Sequence, residues 1–312
     1  MPQHELDDMD EDVQKERSQV LAMDQQSITS GEYGLRFADL NKTFPPKTPN
    51  GPPLRAVKDL NLRLPQGQLF GLLGANGAGK TTAISCVMRS LYPTTGDIHV
   101  CGDSVLSNFR GASSHLGVVT QHNTLWDRLS CVDHLKLFAR LRGVPDEYVK
   151  PLVRATLKEM ELEPYANKLA MQLSGGMKRK LCVAIALIGD PKVVLLDEPS
   201  AGLDPVSRRN LWDVITKTMQ SRSVVLTTHS MEEAEALCTR IGIMVKGSLR
   251  ILGTPQHLKE KFGSGYEIIL QIAPPGLRGS AEQGQEDPES FRPPTGASAS
   301  EKAAGVAGSA VA

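Results

Sequence analysis

The chain has 312 residues, 40% of them hydrophobic and 22% charged, which is enough apolar material for one large folded domain or two small ones. Lysine plus arginine and aspartate plus glutamate number 35 each, so no bulk positive charge argues for a nucleic-acid partner. The longest apolar run, LCVAIALIG, falls well short of the roughly 18 to 20 residues that a membrane-spanning helix needs.

The N-terminal MPQHELDDMDEDVQKERSQV is acidic and lacks the basic-then-apolar layout of a secretory signal. Residues 1–31 are expected to be a disordered polar leader, because they hold too little apolar surface to offset the entropy of ordering them. The same argument applies to residues 273–312, rich in Pro, Gly, Ser and Ala. The folded body is therefore placed at residues 32–272.

Within it, YGLRFADLNKTF, RAVKDLNLRL and GQLFGLLG carry apolar residues at strand period, with Pro and Gly between them, and predict an initial β-rich layer. After Lys80 the pattern changes. Short apolar runs, GVVTQ, KVVLLD and SVVLTTH, are flanked by helical stretches, the pattern of a parallel sheet wrapped by helices. The unbroken VVLL predicts a strand covered on both faces. Residues 125–185 read as a helical insertion: SCVDHLKLFARLRG opens on a capping box of Ser130 and Asp133, and a second helix starts near Pro145. The five cysteines, Cys86, Cys101, Cys131, Cys182 and Cys238, are odd in number and show no C-x-x-C spacing, which suits buried free thiols in a reducing compartment.

Chemistry concentrates first at two places. GANGAGKTT fits G-x-x-x-x-G-K-[ST] with Gly74, Gly79, Lys80 and Thr81 in register, after a strand and before a helix. Such a turn, Gly74, Ala75, Asn76, Gly77, Ala78, Gly79, Lys80, Thr81 and Thr82, lets backbone N–H groups close on phosphate oxygens. Lys80 then neutralises the β- and γ-phosphates and Thr81 offers a hydroxyl to Mg²⁺. In VVLLDEPSAGLD, Asp197 ends a buried strand, where a carboxylate needs a positive partner such as Mg²⁺. Glu198 is the candidate base for a water in line with the γ-phosphate, and Pro199 behind it predicts extended backbone.

The remaining candidates leave alternatives open. His229 follows another strand, before a predicted capping box of Ser230 and Glu233; alone it fits a structural hydrogen-bonder as well as a catalyst. Gln121 either joins the Mg²⁺ shell or is a surface glutamine. Ser174, Gly175 and Gly176 in LSGGMKRK fit a capped helix start, with Lys178, Arg179 and Lys180 on a solvated face.

In combination these residues resemble an ATP-binding cassette. Six elements stand in that family's order: the Walker A turn at 74–82, a Q-loop at Gln121, the signature LSGGM, the Walker B strand ending at Asp197 and Glu198, the D-loop SAGLD and a switch histidine at His229. The resemblance covers nearly all of residues 35–260. It implies an α/β P-loop NTPase of the ABC type, with a mixed, largely parallel core sheet, an N-terminal antiparallel β layer and an inserted α-helical subdomain. It also implies ATP and Mg²⁺ as ligands, Phe44 stacking on adenine where tyrosine is usual, and catalytic roles for Glu198, His229 and Lys80.

In that family two cassettes meet head to tail, so that Ser174, Gly175 and Gly176 of one cover the γ-phosphate held by the other. Implied partners are a second cassette and transmembrane domains at the cytoplasmic face of a membrane, with no nucleic acid. LSGGMKRKLCVAIALIGDPKVVLLDEPSAGLDPVSRRNLW is similar to the A subfamily of eukaryotic ABC transporters, which largely move lipids, including Met177 where many cassettes have glutamine. So is EDVQKERSQVL, which resembles the approach to a second cassette, and FGSGYEIILQI, which resembles the first strand of a regulatory domain. With no membrane domain in the sequence, the chain fits a fragment, an incomplete gene model or a separately encoded subunit. The competing functions are a soluble cassette ATPase acting on ribosomes or DNA, for which the sequence offers neither a repeat nor sustained heptads, and a non-hydrolytic ATP sensor.

Overall fold

A computed structural model describes residues 10–262, apart from residues 47, 49, 50 and 220. The proposed strand in FGSGYEIILQI and the tail 273–312 lie outside the described residues.

The described residues open with helices α1 (Glu11–Leu21) and α2 (Gln25–Thr29), followed by strands β1 (Tyr33–Phe44), β2 (Leu54–Pro65) and β3 (Leu69–Leu73). Then come α3 (Lys80–Val87), β4 (Thr95–Val100), β5 (Asp103–Ser104), α4 (Phe109–Ser114) and β6 (Leu116–Val119). Helices α5 (Cys131–Leu141), α6 (Asp146–Glu159) and α7 (Gly175–Leu187) precede β7 (Val193–Asp197). The rest is α8 (Pro205–Thr218), β8 (Ser223–Thr228), α9 (Met231–Leu237), β9 (Arg240–Val245), β10 (Ser248–Gly253) and α10 (Pro255–Phe262).

Two sheets result. An antiparallel one has the order β2-β1-β4-β5, and a six-stranded one the order β10-β9-β3-β8-β7-β6. In the second, β9, β3, β8, β7 and β6 run parallel, and β10 is antiparallel at the edge. The alternation of β7 shows how the layers are joined. Val193 and Leu195 enter a core shared with Leu35, Phe37, Ile98 and the face of α3. Val194 and Leu196 enter a second core with Leu135, Leu157, Leu181 and Leu211. All four strand residues are fully buried, each contributing about 1.5–3 kcal/mol of apolar transfer. The continuous VVLL run is thus the mark of a strand with a layer on each side.

Between β6 and β7 the described elements are helical, and Ser130 and Asp133 form the predicted capping box at the start of α5. The second predicted box is only half present. Ser230 accepts the Glu233 amide, but the Glu233 carboxylate accepts Trp212 Nε1–H at 3.1 Å instead of turning back to the cap. A buried indole N–H needs a partner, and that need outweighs a solvated cap.

The expectation of a disordered leader fails over α1. Val13, Glu16 and Val20 share one face of this helix, and all are buried against β1, β2 and β10. Two apolar residues at that spacing anchor it, and Glu16 is tolerated inside because it is paired. Its carboxylate lies 2.7 Å from Arg240 Nη2 and 3.5 Å from Arg63 Nε, and accepts the Arg63 amide at 2.9 Å. Composition hides an anchor made of charge pairs distant in sequence.

Candidate active site

At the end of β3 the chain turns through Gly74–Gly79 and enters α3. The first amide donates to Thr228 O at 3.3 Å, which ties the turn to β8. Gly79 is the N-cap of α3, at φ +108, and no side chain caps the helix. Helix-start amides are therefore left without side-chain acceptors beside the macrodipole's positive end, the arrangement that receives an anion. A Cβ on Gly79 would lie 2.3 Å from the Ala56 carbonyl oxygen of β2, so only glycine lets this turn fold so tightly.

A cleft of about 370 Å³ opens over that turn, lined by Phe44, Leu54, Ala56, residues 76–82, Gln121 and Glu198. Phe44 stands at the end of β1, with Lys42 Nζ 5.1 Å from its ring centroid. Lys80 is 4% exposed and donates to Gly74 O at 2.6 Å and Ala75 O at 3.3 Å, so its ammonium is held inside the turn. A larger groove, about 560 Å³, runs along α1, where Glu16 pairs with Arg63 and Arg240, and Asp12 with His257.

Asp197 ends β7, buried, and accepts Thr227 Oγ1–H at 2.5 Å and Thr81 Oγ1–H at 3.3 Å. One carboxylate thus bridges the phosphate turn to two central strands. Among the described residues no cluster of three His, Cys, Asp or Glu side chains could hold a metal unaided. The hydroxyl of Thr81 and the carboxylate of Asp197 are nonetheless hard oxygen donors, the type that suits Mg²⁺ when phosphates supply the other ligands.

Glu198 departs from its predicted geometry. Its φ is +45, in the left-handed region, although proline follows it. Two acceptors hold its amide there: Thr227 O and Thr227 Oγ1, both at 3.1 Å. Its carboxylate is a meeting point. Oε1 lies 3.8 Å from Lys80 Nζ and 3.6 Å from His229 Nδ1, and Oε2 accepts Gln121 Nε2–H at 3.3 Å. Three candidates from separate segments, Lys80, Gln121 and His229, converge on the fourth. Gln121 presents its nitrogen to Glu198, not its oxygen to the Asp197–Thr81 pair.

The signature residues do not line this cleft. Ser174 caps α7 by accepting the Met177 amide at 3.3 Å, as the helix-start reading expects. Ser174 and Gly175 are exposed, and Gly176 packs so closely on Ser207 of α8 that a Cβ would lie 2.9 Å from its hydroxyl.

The solvated-face expectation fails for Arg179, which is buried and hydrogen-bonded to backbone carbonyls at the ends of β6 and β7. The signal was present in the period of α7: Arg179, Cys182, Val183, Ala186 and Leu187 share its buried face. Lys180 instead pairs with Glu161 at 2.6 Å. Burial raises the thiols too, Cys86 to about 11 and Cys238 to about 12, and all five cysteines are unpaired.

Residues 57–201 match the family model described as ABC transporter. The chain is 43% identical over 275 residues to the mouse phospholipid-transporting ATPase ABCA3, a match that covers 88% of this chain and 16% of the relative. It is 45% identical over 271 residues to the human retinal-specific phospholipid-transporting ATPase ABCA4, covering 86% of this chain and 11% of that protein. An Arabidopsis thaliana ABC transporter A family member 2 is 44% identical, with 82% of this chain and 27% of the relative covered. The chain thus spans only a minor part of the length of these curated relatives.

Among solved structures, cbiO1 from Clostridium perfringens, part of the ABC transporter complex cbiONQ, superposes with a TM-score of 0.66 at 24% identity, covering 74% of this chain and 92% of that one. A dimeric post-hydrolysis state of the ATP-binding cassette MJ0796, bound to ADP and Pi, gives 0.63 at 23%, covering 71% of this chain and 98% of that one. At these identities the likeness establishes the fold alone, a largely parallel core sheet with an antiparallel β layer and added helices. The chain therefore carries an ABC-transporter nucleotide-binding domain that resembles those of the A subfamily.

Proposed function

We propose that the domain hydrolyses ATP, with Glu198 as the general base. The observation that carries this reading is the convergence of Lys80, Gln121 and His229 on the Glu198 carboxylate, beside the helix start of the phosphate turn. The triphosphate rests on the amides of residues 76–82, and Phe44 stacks on the adenine. Lys80 exchanges its carbonyl partners for phosphate oxygens. Thr81 and Asp197 would hold Mg²⁺, with Gln121 joining them if its amide turned, and the ion would supply positive charge to offset that developing on the phosphate oxygens. Glu198 takes the proton of the attacking water, and His229, 60% exposed and next to the same carboxylate, orients that water and the terminal phosphate.

The site is completed by a second cassette. Ser174 and the amides of Gly175 and Gly176, at the start of α7 and outside their own cleft, with Ser174 and Gly175 exposed, serve the γ-phosphate of a neighbour. The cycle of closure and hydrolysis drives attached transmembrane domains at the cytoplasmic face of a membrane, with lipid as the cargo class. Support for that last step comes from the relatives, two of which are phospholipid-transporting ATPases by name.

The test is Glu198→Gln. MgATP affinity should stay within about threefold while turnover falls about 10²- to 10⁴-fold, the usual contribution of a positioned base. Normal turnover in that variant would refute the assignment. Ser174→Arg should block ATP-dependent dimerisation, read by light scattering, without changing the affinity of the monomer for ATP.

A further inference from the structure

Arg179 of α7 is 3% exposed and uses every N–H it has. Nε donates to Pro199 O at 2.7 Å, Nη1 to Thr120 O at 2.6 Å and Gln121 O at 3.3 Å, and Nη2 to Asp197 O at 2.9 Å and Glu198 O at 3.1 Å. A guanidinium has five N–H donors in one rigid plane, and here all five meet main-chain carbonyls with no carboxylate among them. Burying a cation is costly unless its donors are satisfied, so this arrangement holds only if the five carbonyls stay where they are.

Three of the acceptors are consecutive, Asp197, Glu198 and Pro199, and the middle residue is the one at φ +45. A residue in that region costs about 1–3 kcal/mol unless its surroundings over-determine it. The amide of Glu198 is fixed by Thr227 and its carbonyl by Arg179, so its backbone is gripped at both ends. The other two acceptors, Thr120 and Gln121, begin the segment whose glutamine side chain touches Glu198 Oε2.

We propose that Arg179 is a positioning residue: it clamps the strained turn at Glu198 and so aims the carboxylate at the attacking water. This inference rests on the reading of Glu198 as the base. Released from the clamp, Glu198 relaxes toward the extended region favoured before proline, and its carboxylate leaves Lys80, His229 and Gln121. Arg179 makes no hydrogen bond to residues 74–82, and it meets Gln121 and Asp197 at their main-chain carbonyls rather than at the side chains that would serve Mg²⁺, so the grip on ATP outlasts its loss. Lysine keeps the charge but radiates three donors from a single atom and cannot span the five carbonyls.

The experiment uses the full 312-residue chain with Arg179→Lys and Arg179→Gln, each alone and combined with Glu198→Gln. MgATP affinity is read by displacement of a fluorescent nucleotide. Turnover at saturating radiolabelled ATP is normalised to nucleotide-binding molecules. For both single variants kcat should fall about 10- to 100-fold, with KM and affinity within about threefold of the parent. In the Glu198→Gln background the added change should cost less than about twofold, since no base remains to be aimed.

An unchanged kcat beside an inactive Glu198→Gln overturns the inference alone. Parallel loss of affinity and kcat, or a full additive loss in the double variant, overturns it as well, because Arg179 then serves folding or another step. Full turnover by Glu198→Gln itself instead removes the reading of Glu198 on which the inference stands.

Discussion

Two glycines of the phosphate turn separate strain from collision. Gly77 and Gly79 both have positive φ, +79 and +108. A Cβ on Gly77 meets nothing within 4 Å, whereas one on Gly79 meets Ala56 O at 2.3 Å and Met244 Cε at 3.2 Å. Alanine at 77 therefore adds only left-handed strain, about 1–2 kcal/mol, less about 0.4–1 kcal/mol from a stiffer unfolded chain. Alanine at 79 adds strain of about 1–3 kcal/mol plus about 1–3 kcal/mol of overpacking, because a β2 carbonyl cannot rotate aside as a side chain does. The expected net losses are roughly 0–1.5 kcal/mol for Gly77→Ala and 1–5.5 kcal/mol for Gly79→Ala. Urea titration of both variants, followed by far-UV dichroism, measures them at a common m-value. Losses equal within about 0.5 kcal/mol would refute the claim that contact with Ala56, rather than backbone conformation, dictates glycine at 79.

Glu16→Ala should cost about 3–5 kcal/mol in the same titration, since it leaves Arg63 and Arg240 without their shared buried carboxylate; a loss below about 1 kcal/mol would mean that α1 adds little to the fold. Asp133 is held below its usual 3.8 chiefly by the Ser130 hydroxyl, so its capping box stabilises α5 above that value and is lost as pH falls through the depressed one. Hydrogen-exchange protection in the first turn of α5, taken relative to the intrinsic rate at each pH, should drop on acidification in the parent and show no such step in Asp133→Asn. Cys86 and Cys238, raised by burial, should resist alkylation at neutral pH until denaturant is added, whereas rapid labelling of the native protein would contradict their burial.

The parts legible in the sequence were those whose physics is local. A phosphate turn must place glycine and lysine at fixed spacing, and β7, covered on both faces, must be apolar at every position from Val193 to Leu196. Proline after Glu198 is a local rule that fails, because hydrogen bonds from the Glu198 amide to Thr227 and from Arg179 to the Glu198 carbonyl outweigh a preference of a few kcal/mol. Arg179 looked like one of three surface cations until the period of its helix was set against β6 and β7. Helix α1 looked like a solvated leader because the charges that neutralise Glu16 lie 47 and 224 residues away. In each case the missing information was a partner distant along the chain.

The same helix has a mechanical corollary. Glu16 grips Arg63 of β2 and Arg240 of β9, which belong to different sheets, and Asp10 donates its amide to Arg250 of β10 while its carboxylate takes the ammonium of Lys261 in α10. Tension entering through the backbone ahead of Asp10 is thus shared among two sheets and a distal helix before any one contact breaks. A pulling experiment from that end should meet α1 in shear, with several bonds yielding together at high force, rather than peeling one turn at a time.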